Sequence, residues 1–197
     1  MEYFDALKAR RSVYALNKEL PVSQDAVVSA IEQAVVLSPS AFNVQSARAV
    51  VLLGEQHAKL WDIVTAALKA HVPADAFAST QQKMDMFAAA AGSVLFFDDT
   101  AAVEDLKKQF PSYADAFDGY AAQASGMAQV NVWQALAELG VGANLQHYNP
   151  LIDAEVKRTW DIPESWKLVS QMNFGGIAAA PEAQDRKPAS ERVRVVR

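Results

Sequence analysis

The chain has 197 residues, 51% hydrophobic and 21% charged, a globular composition long enough to bury a core without covalent staples. A net charge of −5 argues against broad nucleic-acid binding, and the lack of cysteine excludes disulfides, iron–sulfur clusters and thiolate zinc sites. Met1 to Asp5 brings acids at once instead of a basic-then-apolar leader, and no apolar run approaches the ~18 residues of a membrane span, so a soluble cytoplasmic protein is expected.

Residues 3–10 read as a short helix with Phe4 and Leu7 inward. Pro21 and Ser23 open a second helix, whose Val27, Ile31, Ala34 and Val35 follow helical spacing up to Ser38-Pro39. The apolar run Ala49–Leu53, closed by Gly54, has the pattern of a strand buried on both faces. Helices follow over 55–70, with Leu60, Ile63, Val64, Ala67 and Leu68 in one stripe, and over about 75–91. Val94–Phe97 is a second buried strand. Residues 100–119 are mixed, with breaks at Pro111 and Gly119. A long Ala- and Gln-rich helix spans 120–139, with Met127, Val130, Trp133, Leu136 and Ala137 expected inward, and its small residues suit close approach by a neighbour. A short helix over 153–160 and a third strand over 166–174 complete the regular elements. The fold class is therefore α+β in one domain, 1–197. The polar tail 181–197 ends in Val193-Arg194-Val195-Val196, which suits either an edge strand of this chain or a strand added to a partner's sheet.

Three stretches carry groups able to do chemistry. Arg10-Arg11-Ser12 places two guanidiniums side by side, natural partners for a dianion such as phosphate, though also compatible with a solvated helix end. Arg186-Lys187, in the tail, is a second cationic pair that can close on the same anion or stay solvated. The loop Pro39-Ser40-Ala41-Phe42-Asn43-Val44-Gln45-Ser46-Ala47-Arg48 is rich in hydroxyls and amides and free of carboxylates, which suits a neutral heteroaromatic ring. The same groups can equally satisfy their own backbone in a plain helix-to-strand connection. The third stretch, Leu139 to Pro150, has Gly140 and Gly142 where backbone can approach closely, followed by Gln146, His147, Tyr148 and Asn149. Its histidine is better read as structural or ring-contacting than as a general base. Three histidines without close spacing form no metal site, and no phosphate-binding glycine loop, nucleophile elbow or triad is present.

Together, these stretches resemble the flavin-dependent nitroreductase family, and are closest to its small members of about 200 residues from bacteria and fungi, several linked to stress responses. Arg10-Arg11-Ser12 is similar to the family's opening flavin motif, Pro39 to Gln45 to its P-S-x-x-N-x-Q loop, and Leu145-Gln146-His147-Tyr148-Asn149-Pro150 to its L-Q-H-Y-N-P run. Tyr14 stands where many members carry a basic residue, and Gln184 where the tail's lysine would fall.

The resemblance implies a nitroreductase-like fold, a small mostly antiparallel central sheet surrounded by helices, in an intertwined homodimer with FMN at the subunit interface. Arg10, Arg186 and Lys187 would hold the phosphate, and Arg11 and Ser12 would reach the ribityl chain or pyrimidine edge. Pro39, Ser40 and Asn43 would come from the other subunit, with Gln45 supporting their loop. Leu145, Gln146, His147 and Tyr148 would line the ring, and the tail 181–197 would reach the partner. The implied activity takes hydride from NADH or NADPH onto flavin N5 and passes it, by a ping-pong mechanism, to nitroaromatic, quinone or similar small electron-poor acceptors. No catalytic side chain is needed, because the flavin carries the chemistry. The alternative is a flavin-binding stress-response or regulatory protein whose reductase activity is incidental.

Overall fold

The computed structural model describes residues 3–197, so the expectation for Met1 and Glu2 lies outside the described residues. The elements run in the order α1 (Tyr3–Ala9), β1 (Leu16–Asn17), α2 (Gln24–Val36), a 3₁₀ turn (Ala41–Asn43), β2 (Ala47–Leu53), α3 (Glu55–Lys69) and α4 (Phe77–Ala88). There follow β3 (Gly92–Asp99), α5 (Thr100–Gln109), a second 3₁₀ turn (Pro111–Tyr113), α6 (Ala114–Glu138), β4 (Gly142–Gln146), α7 (Asp153–Trp160), β5 (Trp166–Ile177) and α8 (Ala189–Arg192).

The named strands form one sheet in which every pairing is antiparallel. β5 is its axis. One edge of β5 pairs with β3, which pairs in turn with β2. The other edge pairs first with β4, Gln146 opposite Gln171 to Gly142 opposite Gly175, and then with β1, Asn17 opposite Gly176. Gly175 and Gly176 make that handover possible, since a Cβ on either would run into the main-chain oxygens of Asn17 and Glu19. β3 alternates between two cores, as a strand covered on both faces must. Leu95 and Phe97 meet α3, α4 and α7 through Leu60, Trp61, Phe87 and Val156. Val94 and Phe96 meet α2 and α6 through Val27, Ile31, Val132 and Leu136.

The helices follow the sequence pattern with local corrections. Ser23 caps α2 by accepting the Ala26 N–H at 3.2 Å. α6 starts earlier than expected and absorbs part of the mixed 100–119 stretch, the remainder being α5 and a 3₁₀ turn. Its inward stripe is Phe117, Ala121, Ala124, Ala128, Val132 and Leu136. Met127 and Val130, expected inward, are instead 38% and 39% exposed. They lie off the phase that the alanine stripe sets. Phe4 was also expected inward and is exposed, because the seven-residue α1 buries only the small Ala6. β2 is mostly half-buried, with Leu52 alone fully buried, since it forms an edge of the sheet. β1 and β4 were not anticipated. No strand of this chain takes up Val193–Val196, so the in-chain edge strand is not formed among the described residues.

A polar string crosses the interior. His57, 2% exposed, places Nδ1 2.9 Å from Ser93 Oγ, and the Ser93 hydroxyl donates to Asn173 Oδ1 at 2.7 Å. Burial pushes the imidazole pKa down to about 4, with the main chain of Phe87 and Ala88 pulling weakly the other way. The folded protein thus holds His57 neutral while the unfolded chain protonates it near pH 6.5. The stability this contributes is complete above pH 6.5 and is lost as the pH falls toward 4. On the order of 3 kcal/mol is at stake over that window. Denaturant unfolding from pH 7 to 4 should therefore show a steeper acid loss in the wild type than in His57→Gln; equal slopes would remove His57 as the cause.

Candidate functional site

The first cluster forms where the segment after α1 meets β4. Ser12 bridges Ala143 in parallel, and Val13 N–H donates to Ala143 O at 2.9 Å. Asn144 Nδ2 donates to Val13 O at 2.8 Å, across 131 positions of sequence, and Gln146 Nε2 donates to Asn144 Oδ1 at 2.9 Å. These bonds tie the end of Arg10-Arg11-Ser12 to β4 at Ala143 and Asn144, and through Asn144 to Gln146. The tail closes over the same place, since Arg11 Nη2 donates to Glu182 O at 2.7 Å. Arg11, Ser12, Tyr14, Pro181, Glu182 and Gln184 help to line a cavity of about 360 Å³ there.

Electrostatically the cluster is a concentration of positive charge. Burial lowers the Arg10 pKa, and the nearby guanidiniums of Arg186 and Arg11 lower it further. No side chain among the described residues forms an ion pair with any of the three. Arg10 instead lies over the Trp133 ring, 4.6 Å from its centroid. Lys187 is turned toward Glu191 at 3.6 Å.

The Leu145–Tyr148 run splits in its environment. Leu145 packs against the α2–α6 core and Gln146 is buried toward Asn144, whereas His147 is exposed. The Tyr148 amide donates to Gln171 Oε1 at 2.8 Å, and its ring sits edge-on to Trp61 at 5.7 Å. Burial pushes the pKa of that phenol up to about 12, and the ring packs on the core.

The Pro39–Arg48 loop forms the second cluster. Phe42, Asn43 and Gln45 take φ values of 53°, 53° and 49°, a left-handed backbone that costs non-glycine residues energy. Three side chains hold it. Ser40 Oγ accepts the Gln45 N–H at 2.9 Å, and Gln45 Nε2 reaches Asn43 O at 3.4 Å. Arg48 donates to the carbonyls of Gln45 and Ala47, is anchored by Asp99 Oδ2 at 3.0 Å, and lies over the Trp166 ring at 5.6 Å. Ser40 thus satisfies its own loop, while the Asn43 side chain is exposed. Pro39, Ser40, Gln45 and Arg48 border a cavity of about 390 Å³ that shares no lining residue with the arginine cavity. The structure therefore brings Arg10, Arg11 and Ser12 together with the tail and links them to Gln146 through Val13 and Asn144, while Leu145 packs on the core. It leaves Pro39, Ser40, Asn43 and Gln45 apart from them. Among the described residues no group of His, Asp and Glu has the arrangement of a metal site.

A match to the model of the nitroreductase family covers residues 7–176, most of the chain and all three stretches. The chain belongs to the nitroreductase family. Nitroreductase FRM2 of Saccharomyces cerevisiae is 38% identical over 182 residues, covering 91% of this chain and 90% of the yeast protein. Solved structures of nitroreductase CinD from Lactococcus lactis superpose with TM-scores of 0.92 and 0.91 at 44% identity, covering all of both chains. Those two structures contain chloramphenicol and 4-nitrophenol, respectively. The nitroreductase-like α+β fold expected from the three stretches is thus the fold observed. Family membership supports flavin-dependent oxidoreductase activity.

Sequence reasoning passed over two side chains of this nitroreductase family member. Arg48 ended the polar loop stretch, but its role emerges only when β3 brings Asp99 alongside. Trp133 was read as a core residue, and nothing in helical periodicity marks the face on which Arg10 lies. Replacing Arg48 with Gln should cost about 1–3 kcal/mol, the range for losing charge-assisted hydrogen bonds. Amide hydrogen exchange over residues 41–46 should speed up in that variant; unchanged exchange would mean that the loop holds itself.

Proposed function

We propose that the protein is an FMN-dependent NAD(P)H oxidoreductase that works as a homodimer and reduces nitroaromatic, quinone or similar electron-poor acceptors. The observation that carries this reading is the gathering of Arg10, Arg11 and Arg186 without an ionic partner among the described residues. Guanidiniums so placed repel one another and suit a phosphate dianion, so the donor set fits the phosphorylated end of FMN. Arg10 and Arg186, with Lys187 released from Glu191, would hold the phosphate. Arg11 and Ser12 would serve the ribityl chain and the pyrimidine edge, and Arg11 would supply the positive charge that Tyr14 cannot. Leu145, Gln146, His147 and Tyr148 would line the ring. When bound, FMN would supply two-electron hydride chemistry between a nicotinamide and an acceptor.

Two separate cavities, one bordered by Arg11 and Ser12 and one by the Pro39–Gln45 loop, favour a site completed by a second copy. Pro39, Ser40 and Asn43 of one copy would then face the cation cluster of the other, with Gln45 holding the loop. The tail 181–197 of this single domain would reach the partner, where the exposed Val193, Val195 and Val196 find cover. The exposed ring of Phe42 sits 4.8 Å from Phe110 and 5.9 Å from Tyr113, a surface suited to nitroaromatic rings such as those of the compounds in complex with the Lactococcus lactis relative.

Purified protein should be yellow, and NADH or NADPH should bleach its flavin absorbance under anaerobic conditions. A colourless protein that takes up no added FMN would end the proposal, and bound FMN that neither nicotinamide reduces would favour a regulatory flavoprotein. Arg10→Ala should weaken FMN binding roughly tenfold to a hundredfold, the loss expected for a charged hydrogen bond. Fluorescence titration measures it, and unchanged affinity would take Arg10 out of the phosphate site.

A further inference from the structure

Trp133 lies on α6, far in sequence from Arg10, and packs beside the Val27, Ile31, Val132 and Leu136 core. Its indole face supports the Arg10 guanidinium at 4.6 Å. Its Nε1–H is buried with no hydrogen-bond partner among the described residues. A buried indole N–H left unpaired is a cost, and a phenyl ring at this position would avoid it. What the tryptophan does offer is a broad, electron-rich face, and the group on that face is a cation with no carboxylate partner among the described residues.

We infer that Trp133 is a positioning residue for anion recognition: its ring face holds the Arg10 guanidinium in place, so that the protein distinguishes a phosphorylated flavin from an unphosphorylated one. This rests on the FMN reading above and adds to it the group that keeps the phosphate ligand in place. A carboxylate in Trp133's position would neutralise Arg10 and compete with the phosphate. A π face steadies the guanidinium while leaving its N–H donors and full charge for the ligand. Arg11 is handled in a parallel way, held by the neutral main-chain oxygen of Glu182 instead of a side-chain carboxylate. Both arginines are thus fixed without losing charge.

The test compares FMN with riboflavin, which shares the ring and lacks the phosphate. Trp133→Leu should weaken FMN binding by roughly threefold to thirtyfold, the range of one cation–π contact, and leave riboflavin binding unchanged. Trp133→Phe, which keeps a π face, should retain most of the FMN affinity. In an Arg10→Ala background Trp133→Leu should cost nothing further, because the two residues act through one contact. Equal losses for FMN and riboflavin, or additive losses in the double variant, would overturn the inference and leave Trp133 a packing residue. Should Trp133→Leu fail to fold, a fluorine probe decides the matter in an intact core. In flavin-free protein labelled with 5-fluorotryptophan, Arg10→Ala should shift the Trp133 resonance, which Trp133→Phe identifies by its loss. An unmoved resonance would also overturn the inference. Failure of the FMN reading itself is seen separately, in a wild-type protein that binds no flavin.

Discussion

The pairing of residues 12–13 with β4 is the contact on which the site depends. β4 is short and sits on the far edge of β5, held there by its ladder with residues 171–175. That edge is then handed to β1, and the crossing works only because Gly175 and Gly176 leave room for the main chain of Asn17 and Glu19. Had β5 carried side chains there, the segment after α1 would be displaced. Arg10, Arg11 and Ser12 would move with it, away from Ala143 and Asn144. Two glycines near the end of one strand thus determine where a cationic cluster near the start of the chain comes to rest.

The cluster itself runs against the usual economy of a protein surface. Three guanidiniums are gathered although the chain as a whole is acidic, and its carboxylates pair elsewhere. The cost of such a gathering is modest in high dielectric and grows as water is excluded. Neutral partners meet part of it, the Trp133 face under Arg10 and the Glu182 carbonyl on Arg11. The remainder would favour an anionic ligand.

The loop between α2 and β2 stores energy of a different kind. Phe42 and Gln45 hold left-handed backbone that neither prefers, beside Asn43, which tolerates it, and the surrounding bonds over-determine it. Arg48 matters most here, because Asp99 and Trp166 fix its guanidinium before it reaches the Gln45 carbonyl. The loop is therefore tied to the ends of β3 and β5, not merely to its own helix and strand. Such anchoring suits a surface that must meet another molecule without rearranging.

Hydrophobic pattern alone located α2, α3 and the strands β2, β3 and β5, because each buries apolar residues whose pattern shows in the sequence. Composition also ruled out thiolate and disulfide chemistry, and the order of three short motifs pointed to the family. The phase of α6 was misread at Met127 and Val130, since its buried stripe is alanine and alanine carries little hydrophobic signal. β1 and β4 escaped notice because two residues, and five that include Asn and Gln, make no periodic pattern. The facing of Trp133 toward Arg10 and of Asp99 toward Arg48 exists only in three dimensions. The sequence by itself determined which local elements form and which chemical groups are available, since propensity and burial act over neighbouring residues. Tertiary structure decided which of those groups meet, because β5 pairs segments more than a hundred residues apart and no local preference encodes that distance.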